Sequence, residues 1–311
     1  MESRILGIHH VTAISGDAQR TLGCYRDVLG LRLIKKTVNY EDTRTYHLYF
    51  GDDRGNPGTV LSFLPYSEGS ADMPEVGEAA AVAFSVPKGA LEFWLVRLRG
   101  IGLEVSDPQT RFGDEVITFK DPDSLMLEII ADAPDGVGYG WPGGPVAPAL
   151  SVRGIHSVTL FRRDMKETQE HLEHLMGIQA VDAEGSRKRF RAGIKFLGNW
   201  LDVVESDDAP EGHPGPGALF NVAFRVASES VQMMWRHDLE AEGFEVTPVM
   251  DRTYFKSVYY QEPGGTVLEI ATDEPGFEVD EPREALGEML ALPKELEGNR
   301  MGIEERLGGL E

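Results

Sequence analysis

One short stretch of the sequence occurs twice and decides the fold. Gly7-Ile8-His9-His10-Val11-Thr12 is followed 147 residues later by Gly154-Ile155-His156-Ser157-Val158-Thr159. Two more landmarks recur in the same order at nearly the same offset: Val82-Ala83-Phe84 as Val222-Ala223-Phe224, and Leu127-Glu128-Ile129 as Leu268-Glu269-Ile270. Because self-similarity at a constant offset is typical of repeated architectures, the sequence predicts a tandem duplication.

Each half of the duplication divides again into two similar units. Residues 6–15 alternate apolar and polar side chains as a strand does, and Asp17 then begins an amphipathic stretch that Gly30 ends. Three further strand-like runs complete the unit, so that its order is β-α-β-β-β. The same order is predicted in three more places: residues 79–132, 153–205 and 218–272. The fold class that follows is α+β, with four βαβββ modules.

Composition shifts along the chain suggest where its domains begin and end. We predict a first domain of two modules at residues 4–133 and a second domain of two modules at residues 151–277. Residues 134–150 between them contain nine Gly or Pro residues, which disfavour a helix or a central strand, so this segment is predicted to be a linker. Residues 278–311 fit none of the four modules and form an acidic C-terminal tail.

The charge and the apolar pattern exclude several function classes. There are 52 Asp and Glu residues against 30 Lys and Arg, a formal net charge of −22, without a run of five basic residues. Such a chain repels phosphate, so we expect no nucleic-acid partner. We expect no membrane span and no signal peptide, since the apolar runs are too short. With Cys24 as its single cysteine, the chain is predicted to be cytoplasmic, and a homo-oligomer stays open.

Carboxylates and imidazoles on apolar strands are the first candidates for chemistry. Glu128 and Glu269 each interrupt an apolar run, where a carboxylate is costly unless it is paired, hydrogen-bonded or bound to a metal. Adjacent strand residues point to opposite faces, so only one of His9 and His10 can enter the cup between two facing modules. Two His and one carboxylate with open positions suit Fe(II). From these residues alone, a metal role for either Glu and a carboxylate that faces outward or is paired both stay open.

Three stretches resemble the ring-cleaving dioxygenase branch of the vicinal-oxygen-chelate superfamily, which unites glyoxalases, bleomycin resistance proteins and extradiol dioxygenases. They are residues 7–12, residues 45–52 and a block from Arg252 to Ile270. The resemblance extends from about residue 4 to 280 and is greatest to hydroquinone dioxygenases. It implies that the four modules pair into two vicinal-oxygen-chelate domains. It also implies a metal-dependent, extradiol-type dioxygenase that takes a small aromatic substrate and O₂.

The resemblance assigns roles to individual positions. The metal ligands carried over by position are His10, Asn221 and Glu269, and the implied cofactor is Fe(II), with Mn(II) as the alternative. Residues beside the metal or along the pocket would orient the substrate and move protons. Those carried over as catalytic are His9, Thr12, Arg252 and Tyr259.

Asn221 departs from the family pattern, which has a second histidine at this position. An amide oxygen is a weaker donor than imidazole, so we expect weak or absent metal binding. His47 and His213 are candidate substitutes for the missing ligand. The departure also leaves an alternative function open, a catalytically impaired protein that binds or sequesters quinones or small aromatics. A glyoxalase-type lyase is less consistent with the sequence, because it would require two His and two Glu or Gln ligands.

Other residues with potential chemistry are expected to be structural. The duplicate site has Ser157, Ala81 and Glu128 at the three ligand positions and therefore looks vestigial. His171 and His174 lie beside glutamates on a predicted helix, which indicates a solvated face.

Overall fold

The computed structural model describes residues 5–66, 73, 77–78, 80–134, 136–138, 140–193 and 197–310. Position 4, where the first domain is predicted to begin, lies outside the described residues, as do positions 135 and 139 of the linker and position 311 of the tail. Among the described residues, no helix is both long and apolar enough to cross a membrane.

Each of the four predicted modules forms, in the order strand, helix and three strands. The first contains β1 (Ile8–Ser15), α1 (Ala18–Leu22) continued by a π-helical segment (Gly23–Val28), β2 (Arg32–Val38), β3 (Tyr46–Gly51) and β4 (Val60–Pro65). The second contains β5 (Ala80–Pro87), α2 (Leu91–Gly100), β6 (Gln109–Arg111), β7 (Asp114–Lys120) and β8 (Met126–Ala133). Asp17 caps α1 as expected, since its carboxylate accepts a hydrogen bond from the Arg20 amide at 2.7 Å.

The second half of the chain repeats this arrangement. The third module contains β9 (Gly154–Arg162), α3 (Lys166–Glu170) continued by a π-helical segment (His171–Leu175), β10 (Gln179–Glu184), β11 (Arg187–Arg191) and β12 (Trp200–Glu205). The fourth contains β13 (Leu219–Val226), α4 (Glu229–Ala241), β14 (Met250–Asp251), β15 (Lys256–Gln261) and β16 (Val267–Thr272). The tail adds 3₁₀ turns (Phe277–Val279, Arg283–Ala285), α5 (Lys294–Glu297) and α6 (Arg300–Leu307).

The modules pair across the two halves of the chain. Sheet 1 has the order β14-β15-β16-β13-β1-β4-β3-β2 and joins the first module to the fourth. Sheet 2 has the order β10-β11-β12-β9-β5-β8-β7-β6 and joins the second module to the third. The α+β class with four paired βαβββ modules is thus confirmed. Residues 4–133 and 151–277 each contribute one module to each sheet, and their division into two domains stays a prediction.

The helices cover one face of each sheet with large apolar side chains. Trp94 of α2 and Trp235 of α4 occupy corresponding places and are almost fully buried, and each removes an area from water that stabilises the fold by a few kcal/mol, at about 25 cal/mol per Å². His171 was expected on a solvated face, and this was wrong. Its Nε2 contacts the Tyr260 hydroxyl at 2.9 Å, and it is only 6% exposed, because Tyr260 and Phe244 of the fourth module pack against its ring.

The acidic tail packs along the edge of sheet 1. Leu290 forms a parallel bridge to Lys36 of the edge strand β2, which covers backbone groups that would otherwise be unpaired. The neighbouring Lys35 is completely buried, and its ammonium donates to Asp280 at 2.6 Å and to Glu281. A buried ion pair therefore ties the tail to the first module.

Candidate active site

A cavity of about 390 Å³ lies in the cup of sheet 1, lined by residues of the first and fourth modules. This volume is within the range of small-molecule sites. Five predicted site residues line it: His10, Thr12, Asn221, Arg252 and Tyr259. Glu269 lies behind this lining and is completely buried. His9 contacts His10 from the side opposite to Glu269.

Strand register brings these distant residues together. Thr12 of the central strand β1 pairs with Asn221 across the junction between the modules and with Ser62 on the other side. Tyr259 pairs with Glu269 across β15 and β16. Because side chains two residues apart share a face of a strand, His10 and Thr12 face the same cup.

Glu269 is held by three protein groups. Asn221 Nδ2 donates to Oε2 at 2.7 Å, and Ser257 Oγ donates to Oε1. His10 Nε2 lies 3.3 Å from Oε2. Burial by itself raises the pKa of Glu269, but His10, Ser257 and Arg252 together hold the pKa below its ordinary value. The carboxylate is therefore ionised at neutral pH.

The contact between His9 and His10 determines which ring nitrogen of His10 faces Glu269. The two Nδ1 atoms are 2.9 Å apart, and the remaining nitrogen of His9 donates to the carbonyl of Thr272. Burial, His10 and Arg225 lower the pKa of His9 well below its ordinary value, so His9 is neutral. Its Nδ1 consequently accepts, His10 Nδ1–H donates, and Nε2 is the His10 ring nitrogen that faces Glu269.

Arg252 and Tyr259 form a second polar cluster in the cavity. Arg252 Nε donates to the Tyr259 hydroxyl at 3.2 Å, and Arg252 Nη1 donates to Glu41 at 2.7 Å. Burial and the charge of Glu269 raise the pKa of Tyr259, although Arg252 acts in the opposite direction. Tyr259 therefore keeps its proton and can donate a hydrogen bond to a ligand oxygen.

Three residues around the cavity were not predicted from the sequence: Tyr49, Phe255 and Ser257. His47 and Tyr49 of β3 line it with stacked rings, with centroids 4.1 Å apart. Phe255 packs against His10 at a centroid distance of 4.9 Å, and Ser257 holds Glu269. The sequence signal for a shared face is a spacing of two residues along a strand. His47 and Tyr49 have this spacing on β3, and Ser257 and Tyr259 have it on β15.

The two predicted substitute ligands, His47 and His213, make their hydrogen-bond contacts with groups other than Glu269. His47 Nδ1 contacts the Tyr49 hydroxyl at 3.0 Å, and Nε2 contacts Ser62 Oγ at 3.1 Å. His213 is exposed in its loop, with Nε2 3.4 Å from the Pro216 carbonyl. The third position of the candidate metal set is therefore Asn221 itself.

Comparisons with known proteins identify the family. The family model described as "Glyoxalase/Bleomycin resistance protein/Dioxygenase superfamily" matches residues 7–129. The chain is also 38% identical to the "Putative ring-cleaving dioxygenase MhqO" of Bacillus subtilis (strain 168), over 99% of this chain and 97% of that protein. The chain belongs to the glyoxalase/bleomycin resistance protein/dioxygenase superfamily.

Three further similarities extend over most of the chain. It is 32% identical to the "Chlorohydroquinone/hydroquinone 1,2-dioxygenase" of Sphingobium indicum, over 96% of this chain and 94% of that protein. A crystal structure from Bacillus subtilis, described as a "putative dioxygenase", superimposes with a TM-score of 0.92 at 38% identity, covering 99% of this chain and 98% of that one. Glyoxalase I of Zea mays shares the fold, with a TM-score of 0.62 at 15% identity over 86% of this chain and 92% of that one.

Members of this superfamily that act as dioxygenases depend on a metal, so the fit of the donors matters. His10 donates its Nδ1–H to His9 and turns Nε2 towards the Glu269 carboxylate. A metal-binding histidine likewise has one ring nitrogen fixed by a hydrogen bond and the other facing the remaining donors. Within the part of the chain that the structure describes, no three His, Cys, Asp or Glu side chains are grouped for a metal. A rotation of the Asn221 side-chain amide would place its oxygen, instead of its N–H group, on the side that faces Glu269. The residues therefore fit a divalent ion with one imidazole and two oxygen donors.

In sheet 2, arginine side chains pair with the buried carboxylates of the duplicate site. Arg111 Nη1 donates to Glu128 at 2.6 Å, and Arg189 donates to both oxygens of Asp202 at 2.8 and 2.9 Å. Arg187 also donates to Asp202, at 3.1 Å. Arginine side chains thus occupy the carboxylates that could have bound a metal, and no imidazole replaces His10 at Ser157.

Proposed function

We propose that the protein is a metal-dependent, ring-cleaving dioxygenase of the extradiol type that acts on hydroquinone-like aromatics. It is then an oxidoreductase that consumes O₂ together with a small aromatic substrate. The observation that carries the proposal is the contact of His10 Nε2 with the buried, ionised Glu269 carboxylate at 3.3 Å, beside an aromatic-lined cavity. The full-length similarity to proteins named as ring-cleaving and hydroquinone dioxygenases supports it.

The proposed metal set is His10, Asn221 and Glu269. Fe(II) is the proposed ion and Mn(II) the alternative, with affinity weakened by the neutral amide of Asn221. A divalent metal bound there would supply Lewis-acid activation of the substrate oxygen and a path for electrons to O₂. His9 fixes the His10 ring through the contact between their Nδ1 atoms.

The cavity's own side chains would bind and orient the ring. Tyr49 and Phe255 present aromatic faces and edges suited to a planar substrate. The protonated Tyr259, oriented by Arg252, would donate a hydrogen bond to a substrate oxygen. Thr12 offers a second hydroxyl near Asn221. We also propose a cytoplasmic location, without nucleic-acid or membrane partners.

Metal analysis and O₂ uptake test this function together. Protein purified without chelators is expected to contain sub-stoichiometric metal and to consume O₂ with hydroquinone after anaerobic loading with Fe(II) or Mn(II). Glu269→Gln is expected to abolish both metal retention and O₂ uptake. No uptake by the loaded wild-type protein with hydroquinone or chlorinated hydroquinones would overturn the proposal.

A binding or sequestration protein for quinones is the second candidate. It is favoured by the Asn221 N–H, which already satisfies Glu269 at 2.7 Å without a metal. Hydroquinone binding with micromolar affinity, unchanged by metal and without O₂ uptake, would support this candidate against the first.

A further inference from the structure

We infer that Tyr49, His47, Ser62 and Thr12 form a proton relay that connects two points of the cavity and delivers a proton beside Asn221. The inference rests on the proposed function and adds a role for His47, which lies outside the proposed metal set of His10, Asn221 and Glu269. Both ends of the chain, Tyr49 and Thr12, line the cavity.

Hydrogen bonds connect the four side chains of the relay without a gap. The Tyr49 hydroxyl is 3.0 Å from His47 Nδ1, and His47 Nε2 is 3.1 Å from Ser62 Oγ. Ser62 Oγ donates to Thr12 Oγ1 at 3.0 Å. Each link is within the range of a normal hydrogen bond. Three strands, β3, β4 and β1, contribute these residues at adjacent positions in sheet 1.

The contacts define one direction for the chain. Because the Ser62 proton is engaged with Thr12, Ser62 Oγ can only accept from His47, so His47 Nε2 carries the hydrogen. The lone pair of the neutral ring is then on Nδ1, which accepts from the Tyr49 hydroxyl. The Thr12 hydroxyl proton is left to point at an acceptor in the cavity.

The surroundings favour transfer through a neutral imidazole. Burial, Arg252 and His10 lower the pKa of His47 well below its ordinary value, so the imidazolium form is disfavoured. A neutral histidine passes a proton when one nitrogen gains a hydrogen as the other loses one. Stacking against Tyr49, at an interplanar angle of 28°, holds the ring in place for this exchange.

The proton balance closes without any additional reactant. A hydroxyl of the substrate or a cavity water gives a proton to the Tyr49 oxygen, and the Tyr49 proton moves to His47 Nδ1. The Nε2 proton moves to Ser62, the Ser62 proton moves to Thr12, and the Thr12 proton moves to a substrate oxygen that gains negative charge. Each of the four groups loses and gains one proton, so none of them becomes charged.

Two variants break the chain at different links. His47→Gln keeps a polar side chain of similar reach without the two-nitrogen exchange, and Ser62→Ala removes the hydroxyl between His47 and Thr12. Each is expected to lower kcat by about 100-fold with little change in KM and in metal content. The double variant is expected to be no slower than either single variant, because one chain can be broken only once. His174→Gln, the same substitution at an exposed position, is the matched control.

Solvent isotope effects separate a relay from a purely structural role. The wild-type protein is expected to show a solvent deuterium isotope effect on kcat with a curved proton inventory, since several protons move in one step. Both variants are expected to lose the curvature. ¹⁵N NMR of the resting wild-type protein is expected to show a neutral His47 with its hydrogen on Nε2, and this measurement requires no variant to fold.

The outcomes distinguish the two proposals. If the wild-type protein consumes O₂ and both variants keep its kcat and its isotope effect, the relay is overturned and the proposed function is left intact. The same holds if the losses in kcat of the two single variants add in the double variant. An NMR spectrum showing His47 as an imidazolium or with hydrogen on Nδ1 also overturns the relay. Absence of wild-type O₂ uptake overturns the proposed function instead.

Discussion

His10 Nε2 lies 3.3 Å from Glu269 Oε2, although the two residues belong to the first strand of the first module and the last strand of the fourth. This contact exists only because β1 and β13 join two modules from opposite halves of the chain into one sheet. The candidate metal site is therefore a property of the paired modules and not of either half. Its third member, Asn221, lies on the joining strand β13.

Restoring the missing imidazole should strengthen metal binding. Asn221→His is expected to lower the dissociation constant for Fe(II) or Mn(II) by about 10- to 100-fold, because an imidazole nitrogen is a stronger donor than a neutral amide oxygen. Anaerobic competition against a chromophoric chelator measures the change. Asn221→Ala, which removes the amide without adding a donor, is the control and should bind no more tightly than wild type. Equal affinity for wild type and Asn221→His would contradict the assignment of this position.

Ser257 should control the carboxylate ligand without touching the metal. Its hydroxyl donates to Glu269 Oε1 and contributes to the lowered pKa of that carboxylate. Ser257→Ala is expected to weaken metal binding by about 10-fold, the usual size of an outer ligand's effect. Ser257→Thr keeps the hydroxyl and is expected to retain most of the affinity. If the two variants bind metal equally, the hydrogen bond has no such role.

The repeated motifs made the modules and much of the candidate site predictable, whereas the side-chain contacts between different strands and helices could not be predicted. Residues 7–12 and 154–159 share a pattern that reveals the duplication, and Glu269 stands out as a carboxylate in an apolar strand. The pairing of His47 with Ser62 depends on the register of β3 and β4. The spacing of Ser257 and Tyr259 indicates a shared face but does not reveal the contact of Ser257 with Glu269. His171 shows the limit most clearly, since its glutamate neighbours indicate solvent while Tyr260 of another module buries it.

The buried His171 should make stability depend on pH. Burial lowers its pKa from 6.5 to about 4, so the folded protein keeps the ring neutral while the unfolded chain protonates it below pH 6.5. Stability is therefore lost as the pH falls from 6.5 towards 4, by roughly 2–3 kcal/mol between pH 7 and pH 4.5. Urea unfolding of wild type and His171→Phe at both pH values measures the difference. The variant should lose less stability than wild type over this interval, and parallel losses would contradict the assignment.

Lys35 should lock the acidic tail to the first module. Its ammonium is completely buried and paired with Asp280 and Glu281. The double variant Asp280→Asn, Glu281→Gln leaves the buried ammonium without a counter-charge and is expected to cost about 3–5 kcal/mol in the free energy of unfolding. Adding Lys35→Met to that double variant removes the orphaned charge, so most of the loss should be recovered. Urea unfolding of the three proteins tests this, and limited proteolysis should cleave the double variant first between residues 278 and 310. A double variant as stable as wild type would show that the ion pairs contribute little to holding the tail.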